Sequence, residues 1–170
     1  FETVRMLKEV ERKRLHGYLD SHPQAEFREG VKVWDIECDA AFPCATQNEL
    51  ELPDAEQLIK NGCKAVAEGA NMPTTKDAIE AFHKAKVIFS PGKASNAGGV
   101  SVSGLEMTQN SIRLSWQREE LEERLKTIMH DIHQQCVNHG TEKDHVDYIK
   151  GANIAGFVKV AEAMVAYGVI

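Results

Sequence analysis

Two polar, glycine-rich stretches carry the residue types best able to do chemistry: Ala67-Glu68-Gly69-Ala70-Asn71-Met72-Pro73-Thr74-Thr75 and Pro91-Gly92-Lys93-Ala94-Ser95-Asn96-Ala97-Gly98-Gly99-Val100. Each follows a short apolar run. Glycine lets backbone approach a ligand closely, and asparagine offers an amide donor and acceptor in a small volume while tolerating unusual dihedrals. This is the layout of a cofactor cleft, although two ordinary turns would have the same composition.

Other constellations point to less. His130, His133, Cys136 and His139 recur every three residues and could imitate a metal site. A three-residue step drifts around a helix of 3.6 residues per turn, so the four cannot face one point, and no H-E-x-x-H arrangement accompanies them. No metal is expected. The four cysteines, Cys38, Cys44, Cys63 and Cys136, form no C-x-x-C pair and read as reduced, partly buried thiols. Gly92-Lys93 resembles a phosphate-binding lysine loop only superficially, because the upstream glycine that its spacing requires is missing. A G-x-G-x-x-G fingerprint is also missing, so if this is a dinucleotide domain, its first mononucleotide half lies upstream of Phe1.

Such loops need rigid elements to hold them. Apolar and charged residues alternate at helical period through about residue 20, and Pro23 and Gly30 bracket a polar connection. The short apolar run Cys38–Cys44 has no helical length. Asp54 to Asn61 carries Ala55, Leu58 and Ile59 on one face, with Asp54 near its start and Gly62 just past its end as start and stop signals. Lys64–Ala67 and Lys86–Ser90 read as buried strands, with a helix between them capped by Thr74 or Thr75 and holding Ala78, Ile79, Ala81 and Phe82. Strands alternating with helices imply βαβ units and a parallel sheet. Right-handed crossovers then gather the loops Pro43–Asn48, Glu68–Thr75 and Ser90–Val100 along one sheet edge, where open α/β folds bind ligands.

Three helical stretches follow, at Gly98–Ser115, Gln117 to about His139 and Tyr148 to about Tyr167. The middle one places Leu121, Leu125, Ile128 and Met129 on one stripe with dense charge opposite, the pattern of a surface helix packed on a core. The last is rich in small residues, which predicts close packing on another layer. The expected class is α/β: a partial Rossmann-like parallel sheet, lacking its first strands, over residues 1–115, then C-terminal helices over 116–170.

A length of 170 residues suffices for one domain or part of a larger one, and the start at Phe1 without an initiator methionine or visible cap favours a part. A net charge of −6 argues against a nucleic-acid surface, and the short cluster Arg12-Lys13-Arg14 is flanked by Glu9, Glu11 and Asp20. Apolar runs fall short of the roughly 18–20 residues that span a bilayer, so no membrane contact and a cytoplasmic location are expected.

The runs Cys44-Ala45-Thr46-Gln47-Asn48-Glu49-Leu50, Ala67–Thr75, Pro91–Val100, Ser103–Asn110, Ile128–His133 and Gly151–Met164 together resemble the C-terminal part of the hexameric, NADP-specific glutamate dehydrogenases. The resemblance covers nearly all of the chain, with the motifs in the right order and spacing. It implies a two-domain enzyme that interconverts L-glutamate with 2-oxoglutarate and ammonia by hydride transfer with a nicotinamide, NADP in preference to NAD, and a homohexameric parent. The lysines and aspartate that polarise the keto group and handle protons in that family lie in a substrate domain outside this chain, so no catalytic residue is expected here and the segment alone is expected to be inactive.

By the same resemblance, Ala45, Thr46 and Gln47 match the loop beside the nicotinamide ribose. Gly69, Ala70 and Asn71 match the next strand end at the nicotinamide, and Asn96 lines the same side. Val100 and Ser103 match residues that receive the substrate, Ser103 through a hydroxyl hydrogen bond to the distal carboxylate. Physical chemistry agrees, since the first turn of a helix opening at Gly98 presents free N–H groups and a positive dipole end, which suits a dicarboxylate. Ser103, four residues from Gly99, reaches the same side. Without the resemblance, a serine flanked by Val102 and Gly104 reads as a helix-packing residue. Leucine and phenylalanine dehydrogenases share the N-A-G-G-V turn but need an apolar pocket, and Ser103-Gly104-Leu105-Glu106-Met107 resembles the glutamate branch. Two alternatives stay open: a stand-alone, non-catalytic nucleotide-binding or interaction module, and another amino-acid dehydrogenase of the same superfamily.

Overall fold

Three very short apolar strands, β1 (Ala40–Ala41), β2 (Ala65–Ala67) and β3 (Ile88–Ser90), pair in parallel in the order β1-β2-β3 in a computed structural model that describes residues 1–168. Ala41, Val66 and Phe89 share one row of the register, and all three are buried. Successive strand residues face opposite sides. The neighbouring row, Ala40, Ala65 and Ile88, faces the other way, and Ile88 is 49% exposed.

The buried face is covered by the two crossover helices, α2 (Leu52–Lys60) and α3 (Lys76–Lys84). Helix α2 starts two residues before Asp54, and Asp54 is the third residue of a capping box: its side chain accepts from the Glu51 N–H at 2.8 Å while the Glu51 carboxylate accepts in return. Gly62, at φ +80°, stops it, as its place in the sequence predicts. Ala55 and Leu58 of α2 and Ala78 and Phe82 of α3 are buried against the sheet, where the Phe82 and Phe89 rings stack 6.0 Å apart. Thr75 takes the cap position of α3 by backbone conformation alone and makes no side-chain capping bond, so the expected hydroxyl cap is not formed.

The first of the three later helical stretches forms as one helix, preceded by a separate turn in the loop after β3. A single turn, α4 (Gly92–Ser95), precedes α5 (Gly98–Ile112), which ends at Arg113 in the left-handed conformation, short of the expected Ser115. Helix α5 buries none of its residues. Helices α6 (Arg118–Gly140) and α7 (Tyr148–Tyr167) pack against each other around two glycines. A Cβ on Gly151 would lie 2.0 Å from the Cys136 carbonyl oxygen, and one on Gly140 would lie 2.2 Å from that of Asp147. The small residues of α7 therefore do bring backbone against backbone, but at its first turn; Gly156 meets nothing. A two-stranded antiparallel ribbon, β4 (Thr141–Glu142) and β5 (His145–Val146), joins these helices and has no counterpart in the sequence reading.

Residues from Trp34 onward form one compact unit, and Phe1–Val33 form another. The second of these is not the continuous helix that its periodicity suggests. It has an α turn, α1 (Glu2–Arg5), a π turn at Met6–Val10 and a 3-10 stretch at Leu15–Asp20. Arg12, at φ +53°, breaks the helix, and the Lys13 N–H closes back on the Leu7 carbonyl at 2.8 Å.

Candidate functional site

The strand ends of a parallel sheet leave backbone groups unpaired, and here the three loops satisfy one another. The Pro43 carbonyl after β1 accepts from the Gly69 and Ala70 N–H groups after β2, at 2.9 and 3.1 Å. The Asn48 N–H donates to the Met72 carbonyl at 3.0 Å, with Asn48 and Met72 both left-handed at φ +56° and +50°. A Cβ on Gly69 would lie 2.4 Å from the Cys44 sulfur, so any side chain there would have to displace that thiol. The predicted gathering of the loops along one edge is thus observed.

Across the next gap the structure brings together the two asparagines that the sequence singles out, although 25 residues separate them. Asn96 Nδ2 donates to Asn71 Oδ1 at 2.7 Å and to the Ala70 carbonyl at 3.1 Å. With these bonds made, the Asn71 amino group and the Asn96 carbonyl oxygen remain for a ligand. Asn71 is exposed and Asn96 half-buried. Ala45, Thr46 and Gln47 are exposed on the first loop, whose turn is held by the Ala45 N–H donating to Glu49 Oε1 at 2.7 Å. Gln47 borders a cavity of about 500 Å³ with Asn48, Glu68, Thr74, Lys76 and Gly92. Thr74 Oγ1 is buried there with no hydrogen-bond partner.

Helix α5 begins at Gly98 without a side-chain cap, leaving its first-turn N–H groups and positive dipole end uncovered. Val100 is 73% exposed. The Ser103 hydroxyl is exposed and donates to the Gly99 carbonyl at 3.3 Å, a long bond that a better acceptor could replace. Lys93 Nζ is held by Asn153 Oδ1, tying the turn α4 to helix α7.

Glu68 is the residue that the sequence reading overlooks. Its carboxylate is 5% exposed and accepts from the Thr74 N–H at 3.2 Å and the Gly92 N–H at 2.6 Å. Its signal was a lone acid between Ala67 and Gly69, at the point where the chain leaves a buried strand. Such a group needs partners to be buried. The histidine and cysteine run on α6 lies in separate surroundings: the His133 ring sits 5.6 Å from that of Tyr148, Cys136 is buried beneath Gly151, and His130 is exposed. No helix among the described residues is long and apolar enough to cross a membrane.

Comparison with known proteins gives this geometry a context. A family model described as glutamate/leucine/phenylalanine/valine dehydrogenase matches residues 1–168. The chain is 60% identical over 144 residues to an NADP-specific glutamate dehydrogenase of Escherichia coli, covering 85% of this chain and 32% of that protein. It is 55% identical over 152 residues to an NAD-specific glutamate dehydrogenase of Porphyromonas gingivalis, covering 89% and 34%. Its fold superposes on the crystal structure of Plasmodium falciparum glutamate dehydrogenase with a TM-score of 0.94 at 46% identity, over 98% of this chain and 36% of that one. The chain thus spans about a third of the length of the relatives it matches. With a family model matched over residues 1–168, the chain belongs to the glutamate/leucine/phenylalanine/valine dehydrogenase family.

Proposed function

We propose that this chain forms one wall of the nicotinamide and substrate cleft of a glutamate dehydrogenase, which interconverts L-glutamate with 2-oxoglutarate and ammonia. The observation that carries this reading is the carboxamide pair Asn71 and Asn96, bridging the ends of β2 and β3 near the uncapped start of α5. The donor and acceptor that the pair leaves free fit the carboxamide of a nicotinamide, and the backbone at Gly69 and Ala70 with the loop Ala45–Gln47 offers polar contacts beside it. When bound, the cofactor supplies the hydride chemistry, and these residues orient it and shield it from water. The first-turn N–H groups of α5 and the hydroxyl of Ser103 hold the distal carboxylate of the dicarboxylate substrate, with Val100 packing against its chain.

NADP is the favoured cofactor. The Escherichia coli relative named for it is 60% identical, against 55% for the NAD-specific Porphyromonas gingivalis protein. The parent polypeptide is taken to be a cytoplasmic homohexamer, with the proton-handling lysines and aspartate on a domain outside this chain; residues 1–115 complete the dinucleotide-binding domain and 116–170 pack on it.

The test uses the complete polypeptide with 2-oxoglutarate and ammonium, assayed with NADPH and with NADH. Oxidation of NADPH well ahead of NADH supports the reading, and oxidation of neither sinks it. In the same protein, Ser103→Ala lowers kcat/KM for 2-oxoglutarate by the equivalent of about 1–3 kcal/mol, the scale of a hydrogen bond to a charged group. Unchanged kcat/KM removes Ser103 from the site.

A further inference from the structure

We propose that the buried carboxylate of Glu68 is a positioning residue that sets the geometry of the Asn71 and Asn96 pair; this rests on the assignment of that pair to the nicotinamide. Glu68 directly follows the central strand, and four bonds leave it in three directions. Its N–H donates to the Ser90 carbonyl at 3.1 Å, extending the ladder to β3. Its carbonyl accepts from the Ser95 hydroxyl at 2.6 Å. Oε1 accepts from the Thr74 N–H and Oε2 from the Gly92 N–H.

The Oε1 bond closes residues 68–74 into a ring with Asn71 at its midpoint. The Oε2 bond holds the start of the turn that carries Asn96 four residues later. Contact between the two loops is tight. A Cβ on Gly92 would lie 2.8 Å from the Ala70 carbonyl oxygen, 3.3 Å from Asn96 Nδ2 and 3.3 Å from Glu68 Oε2. Movement of Gly92 is therefore passed straight to the groups that bond Asn96. A carboxylate suits the position because both oxygens only accept. Glutamine would turn an amino group toward one of two backbone N–H donors, lose that bond, and push the loops apart.

The test measures, in the complete polypeptide, the affinity for NADPH and for 2′-phospho-ADP-ribose, the same molecule without its nicotinamide. Glu68→Gln is expected to weaken NADPH by about tenfold while 2′-phospho-ADP-ribose changes less than about twofold. In an Asn71→Ala/Asn96→Ala background the same substitution should add less than about twofold, because Glu68 acts through those two side chains. Equal loss for both ligands would show a general structural role and overturn the proposal, as would full additivity with the double variant Asn71→Ala/Asn96→Ala. If Glu68→Gln does not fold, Glu68→Asp, one methylene too short to reach both donors, carries the same expectation and the same refutation. Should Asn71→Ala weaken NADPH while the Glu68 variants do not, this proposal alone falls. Should Asn71→Ala and Asn96→Ala both leave NADPH affinity unchanged, the cleft assignment falls and takes the proposal with it.

Discussion

Two alanine substitutions in one helix should move stability in opposite directions. At Gly156 an added Cβ meets nothing within 4 Å, so Gly156→Ala only removes backbone freedom from the unfolded chain and should stabilise by about 0.5–1 kcal/mol. At Gly151 the same methyl would sit 2.0 Å from the Cys136 carbonyl oxygen, 2.8 Å from its carbon and 2.9 Å from its Cα. All three atoms are backbone of a 23-residue helix, so no side chain can swing aside, and the helices must part by about 1 Å at the crossing. Overpacking costs about 1–3 kcal/mol, and because the clash is with backbone the upper part of that range applies, so that set against the same propensity gain it leaves a net loss of up to about 2.5 kcal/mol. Urea midpoints of the two variants, read by far-ultraviolet circular dichroism at unchanged slope, should straddle the parent. Two midpoints shifted upward together would refute the backbone contact between α6 and α7.

The hydroxyl of Thr74 is buried without a partner, so Thr74→Val, nearly the same shape, should raise stability by about 1 kcal/mol; a lower urea midpoint would show that the hydroxyl is satisfied in solution. Burial pushes the thiols of Cys63 and Cys136 above their ordinary range, whereas Cys44 is exposed. Iodoacetamide at pH 8 should therefore label Cys44 well before either, and early modification of Cys63 in a mass-spectrometric time course would contradict the packing. The hydrogen bond and charge of Lys64, 2.6 Å from Asp39 Oδ1, hold that carboxyl below its ordinary range. A lowered folded pKa stabilises above the unfolded value of about 3.9 and is lost as the pH falls through the lower folded one. Lys64→Met should therefore lower stability at and above about pH 4, with the difference from the parent closing as the pH falls below that, and a difference that persists undiminished in acid would disprove the pairing.

The layout of the sheet was readable because it is local. Each strand is an apolar run bounded by polar loops, and each crossover helix declares one face through Ala55 and Leu58 or Ala78 and Phe82. The stop at Gly62 was equally plain. What escaped depends on partners far along the chain or on elements too short for periodicity. The role of Glu68 exists only because Gly92, 24 residues away, is placed beside it. Strands of two residues, as in β4 and β5, cannot show an alternation. Periodicity misleads in the first twenty residues, where Arg12 adopts a left-handed conformation that a non-glycine residue seldom signals. At the site, the two asparagines were legible as types, but their contact with each other was not.

Helix α5, which carries Val100 and Ser103, differs from its neighbours in how long it stays folded. With none of its residues buried and its packing light, chiefly on α6 near Leu125 and Met129, its amides depend largely on the helix-coil equilibrium. They should exchange with deuterium far sooner than those of α2 or α3, which are locked by Leu58 and Phe82. A carboxylate arriving at the first turn would then find a segment that opens often, and part of its binding free energy would go into ordering fifteen residues. Affinity at this wall is thus coupled to local helix stability, and a substrate should slow exchange along the whole of α5, beyond the turn it touches.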